Sequence, residues 1–245
     1  MQSIGSEKDR WIANKQRLAE DKLSLLGDTI TATCFVNYLG PFEGSYRLRI
    51  LTDAWQKLSE KYQLKFTADF SLKAALGDVE KLADWALRGL PNENTAYENM
   101  IIIDETIDKR YPVLIDPEGQ AFRYMRDNIG APSEAQPLAQ QGRLCVKASS
   151  PNAVKQLQIA LQQGSVVFCE NAGEVTHPAL VSILRKEIST IQGELYISFN
   201  DLSVEFDSDF RLYIFSHLSN PHFSPDIQQL SKVLNFTVTR EGLEQ

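Results

Sequence analysis

Apolar residues recur at helical spacing along the first part of the chain and gather later into short continuous runs. Between residues 7 and 39, Leu26, Ile30, Cys34 and Tyr38 fall every fourth residue, with Phe35 and Leu39 widening the stripe. This pattern predicts a long amphipathic helix, stopped by Gly40-Pro41. Tyr46, Ile50, Leu51, Trp55 and Leu58 predict a second helix that pairs with the first as a hairpin. Trp11, Tyr46 and Trp55 read as core packing rather than as binding residues. The pattern changes after Gln63. Lys65 to Asp84 reads as an extended entry and one short helix, and Gly89-Leu90-Pro91-Asn92 as a turn.

Strands then alternate with helices. The predicted strands are Met100–Ile103, Val113–Ile115, Leu144–Val146, Val166–Cys169, Phe210–Phe215 and Asn235–Thr239. Helices are predicted over Gln120–Arg126, Asn152–Gln163 and Pro178–Ile188, and a polar loop over Gln136–Gly142. Leu195-Ile197-Phe199 and Leu202-Val204-Phe206 alternate around Asn200-Asp201, which predicts a half-exposed β-hairpin. The expected architecture is a mainly parallel three-layer α/β domain with a β-hairpin insertion, preceded by an α-helical hairpin.

The chemistry centres on the run from Lys109 to Arg126. Val113-Leu114-Ile115 ends at Asp116-Pro117, Glu118-Gly119 turns, and a helix follows. Strand, tight turn and helix make the geometry of a phosphate-binding loop. That chemistry needs glycines to expose backbone N–H groups, a Lys for charge and a Ser/Thr for magnesium. Asp116, Pro117, Glu118, Gly119, Gln120 and Ala121 supply one Gly and no Lys, Ser or Thr. Asp116 and Glu118 put negative charge where phosphates would sit. A second landmark is a strand ending in two acids, one for magnesium and one to activate water. Here the strand at Val166 ends in Glu170-Asn171, and an amide cannot act as a base. No catalytic residue and no bound cofactor are therefore expected.

Composition narrows the classes further. The 245 residues are 43% hydrophobic and 23% charged, enough for one full core and a smaller appendage. The net charge of −7, without a basic tract among aromatics, argues against nucleic acid as a partner. No apolar run approaches the roughly 20 residues of a membrane span, and the first ten residues lack the apolar core of a signal peptide. Cys34, Cys145 and Cys169 read as reduced core thiols of a cytoplasmic protein. His177, His217 and His222 show no ligand spacing, so no metal site is expected.

Eight motifs in order resemble the dynein heavy chain, at its fifth AAA+ module. They are L-L-G-D-T-I at 25–30, N-Y-L-G-P-F at 37–42, W-A-L-R-G-L-P-N at 85–92 and Y-E-N-M-I-I at 97–102. Y-P-V-L-I-D-P-E-G-Q-A at 111–121, F-R-L-Y-I at 210–214, N-P-H-F-S-P at 220–225 and N-F-T-V-T-R-E-G-L at 235–243 complete the series. The resemblance implies a P-loop NTPase-like fold. It implies that residues 1–66 are closing helices of the fourth module's small subdomain, just after the stalk, and that 67–245 are the large subdomain of the fifth. The fifth module of that family is generally regarded as not binding nucleotide; ATP and magnesium belong to other modules of the parent. The implied role is structural, transmitting movement around the ring towards the stalk of a microtubule motor. The implied partners are neighbouring AAA+ modules and, through the parent, intermediate and light chains and microtubules. The motif flavour points to the ciliary or flagellar axoneme. Lys232, before the last strand, lies near where a trans-acting basic residue would sit; a solvated helix-end lysine is the alternative. Arg211 and Arg240 are poorer candidates. Two other functions stay open: a divergent active NTPase, and a docking module using the hairpin at 195–206.

Overall fold

The computed structural model describes residues 2–67, 69–129, 142–175 and 177–237. The chain forms two compact units, residues 1–79 and 80–245.

In the first unit, α1 (Gln2–Cys34) continues into a π-helical stretch, Phe35–Leu39. Its buried positions come in doublets four apart: Thr31-Ala32, Phe35-Val36 and Leu39-Gly40. In an ideal α-helix, residues four apart drift by about 40° around the axis. The wider π turn takes that drift back and keeps the doublets on one face. The period of four expected from the sequence is therefore present, but its phase is shifted. Leu26 and Tyr38 are 62% and 68% exposed, while Phe35 is 1% exposed. The cause is Gly27. A side chain there would run into the Lys65 carbonyl oxygen, so the returning chain approaches this face most closely. Asp28 fixes the approach, its two carboxylate oxygens accepting from the Thr67 N–H and hydroxyl at 2.8 Å each.

The second helix of the hairpin runs as α2 (Gly44–Arg49), a π-helical stretch Ile50–Trp55, and α3 (Gln56–Lys61). Buried Arg47 closes the turn. Its Nε donates to Phe42 O and its Nη2 to Gly40 O, each at 2.9 Å, with the guanidinium over the Phe35 ring. The core reading of the aromatics fails at two of three positions. Trp11 is 73% exposed and Tyr46 is exposed, while Trp55 is half-buried. Among the described residues, the first buried position of α1 is Gly27, far beyond Trp11. α4 (Leu72–Leu76), in which Leu72 is buried, packs against α1.

The second unit opens within α5 (Val79–Leu87), from its second residue, and continues with α6 (Asn94–Thr106). Met100–Ile103, expected as a strand, lies inside α6. A short apolar run cannot distinguish a buried strand from a buried helix turn. Here all four side chains are buried, as is Asn99, whose Nδ2 donates to Asn235 O at 2.7 Å. Among the described residues, five strands form the parallel sheet: β1 (Pro112–Ile115), β2 (Arg143–Lys147), β3 (Val166–Glu170), β7 (Arg211–Ser216) and β8 (Lys232–Asn235). Their spatial order is β2-β3-β7-β1-β8. The last strand starts earlier than the expected Asn235–Thr239. Its pairing runs from Lys232 opposite Pro112 to Asn235 opposite Ile115, and residues 238 and 239 lie outside the described ones. So do residues 136–141 of the expected polar loop.

Side chains alternate between two packed faces. Val113, Ile115, Val167, Leu212, Ile214 and Val233 face one core, with α8 (Ala153–Gln163), α9 (Pro178–Arg185) and α10 (Pro225–Leu230). On the other face Phe215 meets Phe122 of α7 (Gln120–Asn128) edge to face at 5.1 Å. The three-layer arrangement expected from the sequence is present. α9 is shorter than predicted because Lys186 turns left-handed, with φ 49°. Ile188–Ile191 then forms β4, a strand the sequence reading missed. β4, β5 (Glu194–Phe199) and β6 (Leu202–Glu205) make a separate antiparallel sheet. Both of its turns, Gln192-Gly193 and Asn200-Asp201, have positive φ at both residues, as the two-residue type I′ hairpin requires.

The three cysteines are free, but only Cys169 is fully buried; Cys34 is half-buried and Cys145 exposed. Cys145 lies on edge strand β2, whose residues are exposed or half-covered except for Val146. Burial pushes the Cys169 thiol up to about 12.

The phase of the first helix is testable. Phe35→Ala is expected to cost about 3–5 kcal/mol of unfolding free energy. Tyr38→Ala should change it by no more than about 0.5 kcal/mol. Urea unfolding of both variants checks the ranking, and equal losses would place the buried face elsewhere.

Candidate functional site

β1 and β7 are neighbours, yet their connections leave towards opposite faces. β1 runs into α7 on the Phe215 face, and β7 into α10 on the other. That makes a switch point at the carboxyl ends of the two strands, where ligands of open α/β sheets are held. Three strand ends converge there: Asp116 after β1, Glu170 at the end of β3, and His217 after β7. Asp116 and Glu170 were expected there. His217 was missed, although it directly follows a buried strand in the same way as Asp116.

Asp116 belongs to both the sheet and the following helix. Its N–H donates to Ser216 O at 2.9 Å, and its O accepts from Gly119 N at 3.2 Å. Its side chain turns inward. Oδ2 accepts the Phe122 N–H at 2.8 Å. The Gln120 and Ala121 N–H groups also favour its charge. Oδ1 is buried without a hydrogen-bond partner, and the residue is 0% exposed. Gly119, with φ 68°, makes the left-handed step into α7, a conformation that favours glycine. The expected negative charge at the loop is therefore a carboxylate seated at the helix N-terminus, where the dipole favours an anion. Glu118, by contrast, is exposed. Arg123 bends back to the loop, with Nε on Gly119 O at 3.1 Å and Nη2 on Glu118 O at 3.4 Å.

His217 ties the strand ends together. Its Nδ1 lies 3.1 Å from Asp116 O, and its Nε2 3.9 Å from Glu170 Oε1. A donating Nδ1–H leaves Nε2 as the nitrogen that faces Glu170. The segment after Glu170 is conformationally unusual. Asn171, Gly173 and Val175 all have positive φ, and Val175 is buried. A β-branched residue in that region is strained. The segment is anchored by Ala172 N to Phe215 O at 3.0 Å and by Glu174 Oε1, which accepts the His222 N–H at 3.2 Å. Next to the α7 N-terminus, Leu90, Pro91, Asn99, Ala121, Tyr124 and Phe236 line a hollow of about 20 Å³. That is room for a water, against the roughly 300–1,000 Å³ of small-molecule pockets.

Lys232 lies at the opposite end of the sheet. It is the first residue of β8, opposite Pro112, and 4% exposed. It is neither before the last strand nor a solvated helix-end residue. Burial holds its ammonium down to about 8. Arg211 sits at that same end, paired with Asp108 at 2.9 Å. Arg240 lies outside the described residues.

Burial, the largest influence, raises the Asp116 carboxyl above its ordinary 3.8, and the helix N–H groups and His217 offset only part of that. Ionisation therefore favours the unfolded chain. The contribution of Asp116 to stability is full below pH 3.8 and is lost as pH rises through the raised folded value. Asp116→Asn keeps an acceptor for the Phe122 N–H and sheds the charge. Its stability relative to the native chain is expected to grow over that pH rise. Urea midpoints measured across the acid range check it, and a pH-independent difference would contradict it.

A family model described as the ATP-binding dynein motor region matches residues 83–245. Mouse dynein axonemal heavy chain 2 is 32% identical over 241 residues, which is 98% of this chain and 5% of the relative. Human dynein axonemal heavy chain 1 is 31% identical over 242 residues, with the same two shares. Human dynein axonemal heavy chain 3 is 33% identical over 241 residues, again 98% of this chain, and 6% of the relative. The chain thus spans about a twentieth of the length of the curated relatives it matches. With the model covering most of the α/β unit and these identities running along almost the whole sequence, the chain belongs to the dynein heavy-chain motor-region family.

Proposed function

We propose that this chain is a non-catalytic, force-transmitting AAA+ module of an axonemal dynein heavy chain. The observation that carries the reading is the Asp116 carboxylate at the N-terminus of α7, on the N–H groups that a phosphate would need. Three further features support it. The loop 116–121 offers no Lys for phosphate and no Ser/Thr for magnesium. Asn171 stands where the second acid would activate water. The hollow beside the loop is far too small for a nucleobase.

On this reading residues 1–66 close the small subdomain of the fourth module, and 67–245 are the large subdomain of the fifth. The work of the block is to hold ring geometry and pass movement towards the stalk. Its direct partners are the neighbouring AAA+ modules. Intermediate and light chains, microtubules, ATP and magnesium are met through other parts of the parent, in the ciliary or flagellar axoneme. Coupling of this kind needs two packings of the ring that differ in their contacts.

The runner-up is a divergent active nucleotide site. It is favoured by the matched family's description as ATP-binding and by Glu170, half-exposed at the end of β3. Calorimetry with ATP and magnesium separates the two. The structural reading expects no saturable heat and no turnover above background. Saturable binding, or hydrolysis abolished by Glu170→Gln, would establish the active site instead.

A further inference from the structure

We propose that Lys186 is a latch. Its side chain fastens the junction of α9 and β4 to the loop 107–111, so that the placement of β4 and the lead-in to β1 are coupled. The inference goes beyond the proposed function and does not depend on it, because it uses no residue of the loop 116–121 or of the β3 end.

The backbone is the first ground. Lys186 is the left-handed residue that ends α9, with φ 49° and ψ 42°. Glycine is the usual residue at such a position, because a Cβ is strained there. A lysine that holds this conformation points to a use for its side chain.

The second ground is where that side chain goes. Nζ donates to Asp108 O at 2.9 Å and to Ile107 O at 3.4 Å, just past the end of α6. It also lies 3.7 Å from the centroid of the Tyr111 ring. Carbonyls at a helix C-terminus and the face of an aromatic ring both attract a cation. Tyr111 is buried in the core, edge to face with Phe210, and its hydroxyl donates to Phe210 O at 3.5 Å. The seat is therefore anchored to the main sheet. Arg211 steadies its rim through the pair with Asp108. Burial and the Arg211 charge oppose the seated ammonium and hold the amine down to about 8, and Asp108 offsets part of that. At pH 7 the charged form still prevails.

The third ground is what β4 lacks. None of its four residues is buried. Its place rests on backbone pairing with β5, on the Ser198 N–H that donates to Glu187 O at 3.0 Å, and on where the chain leaves Lys186. An element with few buried contacts is among the easiest to open locally. The latch thus acts on a strand that packing does not hold, at the point where that strand begins.

The test is amide hydrogen exchange at pH 7 in the ¹⁵N-labelled 245-residue chain. Lys186→Met removes the charge and keeps the length of the side chain. Lys186→Gly removes the side chain and also relieves the backbone. In both variants the Ser198 amide is expected to exchange at least about fivefold faster than in the native chain, and so are the Lys109 and Arg110 amides across the seat. The Asp116 amide, which donates to Ser216 O in the main sheet, should keep its native rate. A Ser198 amide in Lys186→Gly that exchanges at the native rate or slower would overturn the proposal, because the side chain would then be idle. Acceleration at Ser198 with Lys109 and Arg110 unchanged would overturn the coupling. Equal acceleration at Asp116 would mean general destabilisation and no latch. If neither variant folds, the native chain decides. The Tyr111 ring face should then shift the ε-methylene protons of Lys186 upfield, and ordinary lysine shifts there refute the seat.

Discussion

Asp116 joins three elements that are otherwise separate. Its N–H continues the ladder to Ser216 of β7, its carbonyl meets His217, and its carboxylate takes the Phe122 N–H of α7. Taking a carboxylate out of water costs several kcal/mol. A helix N-terminus returns about 0.3–2 kcal/mol, and its hydrogen bonds add to that. The balance falls on the side of burial, as the raised carboxyl shows. The charged form of Asp116 is thus less favourable in the folded chain than in water, and the neutral form is favoured there. Val175, left-handed and buried a short distance along the same sheet end, is a second local loss of the same kind.

His217 is the counterpart of Asp116 on the neighbouring strand. A ring reaching from the Asp116 carbonyl towards Glu170 spans the ends of β7, β1 and β3. A nucleotide site connects its strand ends through the phosphates and metal it binds. Here the His217 ring lies between the Asp116 carbonyl and the Glu170 carboxylate, so side chains of the protein itself link the strand ends.

The sequence made the site more legible than its surroundings. Asp116, Gly119 and Glu170 were readable because strand, turn and helix impose fixed chemistry on a few adjacent residues. His217 was not, because nothing local in H-L-S-N distinguishes it; only the sheet order brings β7 beside β1. Met100–Ile103 carries β-branched residues that suit a strand, and burial on all sides of α6 overrode that preference. The first helix shows a subtler limit. Its period of four was visible, but its phase was set by the Lys65 carbonyl over Gly27, a contact thirty-eight positions away in sequence. β4 was hidden because Ile188-Ser189-Thr190-Ile191 lacks alternation, and only Lys186, which is left-handed, and Glu187 separate it from α9.

Strand β1 lies between β7 and β8, paired in parallel with both. A pull along its axis meets two ladders loaded side by side, so their hydrogen bonds must fail together. The outlying sheet of β4, β5 and β6 is built of hairpins that can unzip one rung at a time. A load applied near Asp116 would therefore be shared by two parallel ladders, which the outlying hairpins do not have.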